Sequence, residues 1–316
     1  MTDYLIFFVG FGLLLKGADW LVDGSSSIAK RFGISRLVIG LTIVSFGTSA
    51  PELLVNIIAS FQGSSELAIG NIVGSNIANI LLILGMSAII FPLKLAPNTT
   101  WKEIPLSLLA IVVFGLLVND QIVDGSAVSI LSRIDGFVLL AFFIIFIYYT
   151  FGIGKVQGED EDFEVHKGWS AAIMIIGGIV GLGLGGKWVV DGGTAIAQQL
   201  GLSEAFIGLS LIALGTSLPE LATSAVAAYR KKPDIAVGNI VGSNIFNIFW
   251  ILGLSAVIQP LEFNTAMNTD LMFLLLATVL LLIFMFVGKR HMMERWQGIS
   301  FIGLYGGYIA FLIYRG

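Results

Sequence analysis

Two six-residue stretches of the chain, 168 positions apart, decide how the rest of the sequence is interpreted. Residues 47–52 are Gly-Thr-Ser-Ala-Pro-Glu, and residues 215–220 are Gly-Thr-Ser-Leu-Pro-Glu. The same offset aligns residues 20–92 with residues 188–260 without a gap, and about half of the aligned positions are identical. A second pair, Gly-Asn-Ile-Val-Gly-Ser-Asn-Ile, begins at Gly70 and at Gly238. The chain is therefore an internal duplication whose best-matching parts are polar.

The composition places both copies in a membrane. Of the 316 residues, 56% are hydrophobic and 12% are charged, whereas roughly 25% are charged in soluble domains. A helix needs about 20 apolar residues to span a bilayer, and such runs recur from Tyr4 to Tyr314 without the alternation of barrel strands. We predict an all-α polytopic membrane protein with ten transmembrane helices, near residues 4–30, 36–61, 67–91, 103–119, 127–151, 169–199, 204–229, 234–258, 270–288 and 297–314. The chain has no cysteine, which excludes disulfides and thiolate metal sites.

Basic residues predict the orientation of these spans. Thirteen of them fall in the odd-numbered connections: Lys30, Arg31, Arg36, Lys94, Lys102, Lys155, Lys167, Arg230, Lys231, Lys232, Lys289, Arg290 and Arg295. The other side has only Arg133 and Arg315. Because basic loops stay cytoplasmic, both termini are expected outside the cytoplasm, in a protein of the inner or plasma membrane.

The two copies are predicted to enter the membrane in opposite directions, because each has five spans. Inverted repeats of this kind build secondary transporters, with the substrate near the midplane. We predict a first five-helix repeat at 1–151 with its motifs at 40–92, an acidic cytoplasmic linker at 152–168, and a second repeat at 169–316 with its motifs at 208–260. A duplicated structural scaffold is the alternative, but it does not explain why the polar stretches match best.

Two carboxylates carry the functional prediction. Of 21 acidic residues, only Glu52 and Glu220 lie in the middle of an apolar span, and no basic residue lies at that depth. A charge at the centre of a membrane helix costs on the order of 2.5–3.5 kcal/mol, so each carboxylate requires a bound cation or a proton. Pro51 and Pro219 are expected to break both helices just before these residues.

Hydroxyl and amide groups accompany each glutamate. Thr48 and Ser45 lie four and seven residues before Glu52, on the same face of a continuous helix. The next span adds Asn71, Ser75 and Asn79 at four-residue spacing, and the second copy supplies Thr216, Ser217, Asn239, Ser243 and Asn247. These hard oxygen donors suit Ca²⁺ or Na⁺ rather than a transition metal. Single serines and threonines often bond to their own helix, and Asn76 and Asn244 are interpreted as joining broken helix ends.

The paired Gly-Thr-Ser-x-Pro-Glu motifs, each followed by Gly-Ser-Asn-Ile-x-Asn, resemble the alpha repeats of the sodium/calcium exchangers in the calcium:cation antiporter superfamily. The resemblance implies a 5+5 inverted-topology repeat, four clustered cation sites, and long first and sixth spans that slide against an eight-helix core. It implies that Ca²⁺ binds Glu52, Glu220, Thr48 and Thr216. It also implies that Na⁺ binds Ser45, Ser49, Ser75, Asn79, Ala213, Ser217, Ser243, Asn247, Glu52 and Glu220. Some relatives carry Asp where this chain has Asn247, or Ala where it has Ser45.

The predicted function is secondary antiport of Na⁺ against Ca²⁺, with these ions and the lipid bilayer as its partners, no cofactor, no nucleic acid and no obligate protein partner. Proton/calcium exchange through the same two glutamates is the nearest alternative. A cation channel would need a filter loop, which is not visible in the sequence. An intramembrane enzyme is disfavoured, since His166 and His291 lie in loops and no His-Glu-x-x-His motif occurs.

Overall fold

The computed structural model describes residues 2–95, 99–153, 166–199 and 214–315. Within these ranges, eight helices are long and apolar enough to span a membrane, and a ninth candidate is a pair of helices bent by 48°. They correspond to nine of the ten predicted spans. The remaining predicted span, at 204–229, lies within the described residues only from residue 214 onward. Most of the predicted acidic linker also lies outside them.

The long helices follow the apolar runs of the sequence. Those interrupted by no break are α1 (Thr2–Phe32), α7 (Ile104–Leu117), α9 (Arg133–Ile153), α10 (Gly168–Gln199), α14 (Asn268–Phe284) and α15 (Arg295–Arg315). A π-helical turn, Thr99–Glu103, precedes α7, and the short helix α8 (Asp120–Val123) follows it. A 3₁₀ turn, Thr265–Met267, precedes α14.

The second predicted span is a broken helix. It comprises α2 (Arg36–Ile39), a π-helical turn (Gly40–Val44), α3 (Ser45–Thr48) and α4 (Ala50–Phe61). The break falls at Ser49, two residues before Pro51, whose ring is tolerated only in the first turn of a helix. In the second copy, α11 (Leu218–Tyr229) begins after Ser217, and its second residue is Pro219. The predicted proline break is confirmed in the first copy; in the second copy the segment that precedes residue 214 lies outside the described residues.

The third and eighth predicted spans each contain a π-helical segment. In the first copy α5 (Ser65–Ala78) is followed by the π turn Asn79–Leu84 and α6 (Gly85–Ile90). In the second copy α12 (Pro233–Ile245) is followed by the π turn Phe246–Leu252 and α13 (Gly253–Ile258). These two spans are 78% and 83% buried, against 22–39% for the others, so they form the centre of the protein.

Two short antiparallel sheets join the two halves of the chain. Strand β1 (Leu93–Lys94) pairs with β4 (Met292–Met293), and β2 (Ile130–Leu131) pairs with β3 (Leu261–Glu262). The 168-residue offset relates Leu93 of β1 to Leu261 of β3. Each sheet therefore pairs the strand that follows a central span in one copy with a strand of the other copy.

Helices α1 and α10 pack closely against each other through glycines. A Cβ atom added to Gly178 would lie 2.8 Å from the carbonyl oxygen of Gly17, and one added to Gly185 would lie 2.5 Å from the backbone nitrogen of Leu14. Small residues allow such close approach of membrane helices. The two longest helices of the described chain thus form one packed pair.

Candidate ion-binding site

The two glutamates occupy equivalent positions in the first turns of α4 and α11. Glu52 is the third residue of α4 and Glu220 the third residue of α11, directly after the proline in each case. Each side chain is only 1% exposed. The positive end of a helix dipole favours a carboxylate in the first turn, but it does not replace the lost hydration of a buried charge.

Serines from each break contact the glutamate of the opposite copy. The Ser49 hydroxyl donates to Oε1 of Glu220 at 2.9 Å, and the Ser217 hydroxyl donates to Oε1 of Glu52 at 3.4 Å. Because each serine comes three residues before its own glutamate, the two breaks face each other. The repeats therefore meet at the two carboxylates.

The central helices contribute two further hydroxyls. Ser75 of α5 lies 3.5 Å from Oε1 of Glu52, and Ser243 of α12 lies 3.5 Å from Oε1 of Glu220. Ser49 Oγ also lies 3.0 Å from Ser243 Oγ. Each carboxylate thus has a hydroxyl from its own copy and one from the other copy.

The two threonines interact with asparagines of the opposite copy. Thr48 donates to Oδ1 of Asn239 at 3.0 Å, and Thr216 lies within hydrogen-bond distance, 3.5 Å, of Oδ1 of Asn71. With its proton donated to an amide, a threonine hydroxyl keeps its oxygen lone pairs for another partner.

These two asparagines are held by residues that the sequence did not single out. Asn71 donates to Oδ1 of Asn56 at 2.7 Å, and Asn239 donates to the hydroxyl of Ser224 at 3.0 Å. The 168-residue offset places Asn56 and Ser224 at equivalent positions, but the residue types differ. A search for identical repeated residues therefore does not find them.

The amides of Asn79 and Asn247 bridge the two copies at the π turns. Asn79 donates to Oδ1 of Asn244 at 3.0 Å, and Asn247 donates to Oδ1 of Asn76 at 2.8 Å. Both donors lie in π-helical turns, which often occur at functional sites. Asn76 and Asn244, interpreted from the sequence as joining broken helix ends, contact these predicted site residues directly.

Among the predicted site residues, four buried acceptor oxygens have no hydrogen-bond donor in the part of the chain that the structure describes. They are Oε2 of Glu52, Oε2 of Glu220, Oδ1 of Asn79 and Oδ1 of Asn247, and all four are inaccessible to solvent. An unpaired buried acceptor costs about 1–3 kcal/mol, and more when it is charged. These four oxygens include one from each carboxylate, and carboxylate and amide oxygens are the donors that Ca²⁺ and Na⁺ require.

Among the described residues, two other carboxylates are buried. Asp270 accepts from Tyr308 at 2.9 Å and forms an ion pair with Arg315 at 2.9 Å. Glu103 accepts from Tyr149 at 3.1 Å through Oε1, and its Oε2 has no donor within the described ranges. Within the described ranges, no three acidic or histidine side chains cluster as a metal centre. The candidate site therefore has two carboxylates surrounded by neutral oxygens.

Ser45 differs from the other predicted ligands in its contacts. Its hydroxyl lies 2.6 Å from the carbonyl oxygen of Gly40 and 3.1 Å from that of Asn239. The helix is interrupted at Ser49, between Thr48 and Glu52, and the shared face of Ser45, Thr48 and Glu52 stays a prediction. Ala213 lies outside the described residues.

A family model described as "Sodium/calcium exchanger protein" matches residues 2–152 and 170–314, which is most of the chain. The chain belongs to the sodium/calcium exchanger family. This exchanger is 36% identical over 311 residues to the putative antiporter CaxA of Alkalimonas amylolytica, covering 95% of each chain. It is 32% identical over 350 residues to the sodium/calcium exchanger MaX1 of Methanosarcina acetivorans, covering 99% of each chain.

The exchanger is also similar to a solved structure of the sodium-calcium exchanger NCX_Mj soaked with Na⁺ and Ca²⁺. The TM-score is 0.84 at 35% identity, covering 98% of both chains. The resemblance inferred from the paired motifs is therefore confirmed. The chain is a multi-pass membrane antiporter of a family that transports Na⁺ and Ca²⁺, and this family consists of transporters rather than enzymes.

Proposed function

We propose that this chain exchanges Na⁺ for Ca²⁺ across the cell membrane by alternating access, with both ions bound between Glu52 and Glu220. The four unpartnered oxygens of Glu52, Glu220, Asn79 and Asn247 carry this proposal. Two carboxylates supply two negative charges, which balance one Ca²⁺ or about two Na⁺. Mg²⁺ is less suited, because it dehydrates reluctantly and demands near-ideal octahedral geometry.

We assign Ca²⁺ to the centre of the site, between Glu52 and Glu220, with Thr48 and Thr216 as further ligands. The hydroxyl groups that contact the carboxylates suit the smaller charge of Na⁺. The proposed sodium ligands are Ser45, Ser49, Ser75, Asn79, Ala213, Ser217, Ser243 and Asn247, together with both glutamates. Ser45 and Ala213 would contribute backbone oxygens.

Coupling follows from the shared carboxylates. Because Na⁺ and Ca²⁺ require the same two glutamates, they compete, and the loaded site is neutral while the empty site carries two buried charges. Moving the empty site across the membrane would expose those charges to hydrocarbon, which is unfavourable. The carrier therefore changes state when loaded with either ion, and the two fluxes are linked.

The proposed architecture is two inverted repeats of five spans, at 1–151 and 169–316, with a cytoplasmic linker and both termini outside the cytoplasm. The reciprocal serine contacts and the two strand pairings between the copies support a two-fold relation. The glycine-packed pair of α1 and α10 is the element proposed to slide against the other helices.

Proton/calcium exchange is the second candidate, because a proton on Oε2 of Glu52 or Glu220 would also satisfy an unpartnered oxygen. The hydroxyls at these carboxylates favour Na⁺, since a proton does not need a cage of neutral oxygens. The two candidates are separated by ⁴⁵Ca²⁺ uptake into proteoliposomes. Uptake driven by an outward Na⁺ gradient at equal pH supports the proposal. Uptake that follows only a pH gradient refutes it.

A further inference from the structure

We propose that Asn76 and Asn244 are positioning residues that determine which end of the Asn247 and Asn79 amides faces the cation site. The proposal rests on the cation site described above. An asparagine amide carries one oxygen that can bind a cation and an NH₂ group that cannot. A half-turn of the side-chain amide exchanges these two ends. A ligand asparagine therefore needs a neighbour that can pair with only one of them.

The hydrogen bonds around Asn247 have a defined direction. A backbone carbonyl only accepts, and that of Asn244 accepts from Nδ2 of Asn76 at 3.2 Å. The opposite end of the Asn76 amide is its oxygen, which accepts from Nδ2 of Asn247 at 2.8 Å. Oδ1 of Asn247 is consequently left at the far end of the chain of bonds. It is one of the four oxygens of the predicted site that have no donor in the described part of the protein.

One matching bond holds the corresponding amide of the first copy, that of Asn79. The side-chain oxygen of Asn244 accepts from Nδ2 of Asn79 at 3.0 Å, which leaves Oδ1 of Asn79 without a donor within the described ranges. All four asparagines are at most 1% exposed. Water from the surface therefore cannot replace a lost partner and hold the amide in the same orientation.

Loss of the Asn76 oxygen would release the Asn247 amide to rotate. In the rotated state an NH₂ group, rather than an oxygen, faces the cations, and one ligand is lost. Removing an outer-shell partner of a metal ligand typically costs roughly 10–100-fold in metal affinity. A carboxylate at position 247 would be insensitive to this effect, because its two oxygens are equivalent.

The test compares Asn76→Leu in two backgrounds, the natural Asn247 and the variant Asn247→Asp. In the natural background we expect the apparent KM for ⁴⁵Ca²⁺ to rise roughly 10–100-fold, with a smaller change in maximal rate. The rise in melting temperature that CaCl₂ gives the purified protein should shrink in parallel. In the Asn247→Asp background, Asn76→Leu should change neither the KM for Ca²⁺ nor the Ca²⁺-induced rise in melting temperature by more than about twofold, because a carboxylate has no amide orientation to lose.

Equal losses of Ca²⁺ affinity in the two backgrounds would mean that Asn76 supports the fold rather than the orientation of Asn247. That result would overturn the proposal. An unchanged KM for Ca²⁺ in Asn76→Leu would overturn it as well. Asn119→Leu is the matched control, since it breaks the amide pair of Asn119 with Asn268 elsewhere in the protein. It should lower the melting temperature but leave the Ca²⁺-induced rise intact.

Asn76→Ala and the corresponding pair Asn244→Leu with Asn79→Asp provide the same comparison if Asn76→Leu does not fold. The melting readout separates this proposal from the proposed function. If the natural protein does not couple Ca²⁺ to Na⁺, Ca²⁺-dependent stabilisation still reports whether Asn76 orients Asn247.

Discussion

The Ser49 hydroxyl donates a hydrogen bond to Oε1 of Glu220 at 2.9 Å, which links the helix break of one copy to the carboxylate of the other. The equivalent bond, from Ser217 to Glu52, is longer at 3.4 Å. The two halves of the site are thus related but not identical. Each half depends on the other copy for part of its polar environment, so neither copy contains a complete site.

We expect Ser49→Ala to weaken sodium coupling. The variant removes a neutral oxygen proposed to bind Na⁺ and a hydrogen bond to a charged acceptor, which is worth about 1.5–3 kcal/mol. The Na⁺ concentration that drives half-maximal ⁴⁵Ca²⁺ exchange should therefore rise about tenfold or more. Ser87→Ala is the control, because Ser87 is equally buried but donates to the carbonyl of Ile83 in its own helix. An equal rise in both variants would contradict a specific role for Ser49.

Glu52→Gln and Glu220→Gln should each abolish Ca²⁺ exchange. Glutamine has nearly the same shape but no charge, so one carboxylate alone cannot balance Ca²⁺. Without ions, both variants should melt at or above the temperature of the natural protein, because a buried charge has been removed. The measurements are ⁴⁵Ca²⁺ exchange and melting temperature with and without CaCl₂.

Glu103→Gln is the matched control for both glutamine variants. Glu103 is also 1% exposed, but it contacts Tyr149 instead of the proposed site. The variant should retain Ca²⁺ exchange and Ca²⁺-dependent stabilisation. Natural rates of Ca²⁺ exchange in Glu52→Gln or Glu220→Gln would refute the assignment of that residue as a calcium ligand.

Asn247→Asp should change ion preference without unfolding the protein. A third carboxylate would favour Ca²⁺ over Na⁺ by direct attraction, so the apparent KM for Ca²⁺ should fall several-fold and Ca²⁺ release should slow, by analogy with charge tuning at other calcium sites. Competition of Na⁺ with ⁴⁵Ca²⁺ uptake measures the shift. An unchanged ratio of Na⁺ to Ca²⁺ affinity, at unchanged melting temperature, would place residue 247 outside the site.

Much of the fold follows directly from the sequence, because bilayer spans need long apolar runs and prolines interrupt helices. The repeat and its two prolines also identified Glu52 and Glu220, which the structure places at equivalent positions in the first turns of α4 and α11. These features depend on local sequence or on a repeat that can be aligned. They require no knowledge of tertiary contacts.

The polar environment of the glutamates was harder to predict. Which hydroxyl reaches which carboxylate depends on how the copies face each other, and the exchanged contacts of Ser49 and Ser217 are not visible in residue spacing. The break at Ser49 lies between Thr48 and Glu52, so residue spacing alone does not determine whether these two share a face. The bonds of Asn76 join it to the other copy, and a sequence does not show the direction of such hydrogen bonds.

The two copies differ in how the ends of the long helices are held. Asp19 and Asp23 of α1 form ion pairs with Arg230, and Asp23 also pairs with Lys232 at 3.1 Å. Both basic residues lie in the turn between α11 and α12, so these pairs connect α1 to the remaining helices. At the equivalent turn the first copy has Gln62 and Ser64. In α10, Lys187 and Asp191 pair with each other at 2.7 Å.

We expect Arg230→Gln, which introduces the residue of the first copy, to loosen α1 from this turn. If α1 slides during transport, these ion pairs favour the state in which it is docked, and their loss shifts the population away from that state. The chain has no cysteine, so a single Ser25→Cys substitution provides a specific probe. Ser25 is fully buried on α1, two residues after Asp23. Thiol labelling at this position should become several-fold faster in Arg230→Gln. This change corresponds to a shift on the order of 1 kcal/mol in the equilibrium between docked and undocked α1.

Lys187→Gln is the control, because it removes an exposed ion pair that lies entirely within α10. The thiol at position 25 should react at the natural rate in this variant. High salt should accelerate labelling in the natural protein more than in Arg230→Gln, since ions screen partly exposed pairs. Equal labelling rates in Arg230→Gln and Lys187→Gln would show that the Arg230 pairs do not control α1. The same labelling rate of the natural protein at low salt and at high salt would show that ion pairs do not hold α1 against this turn.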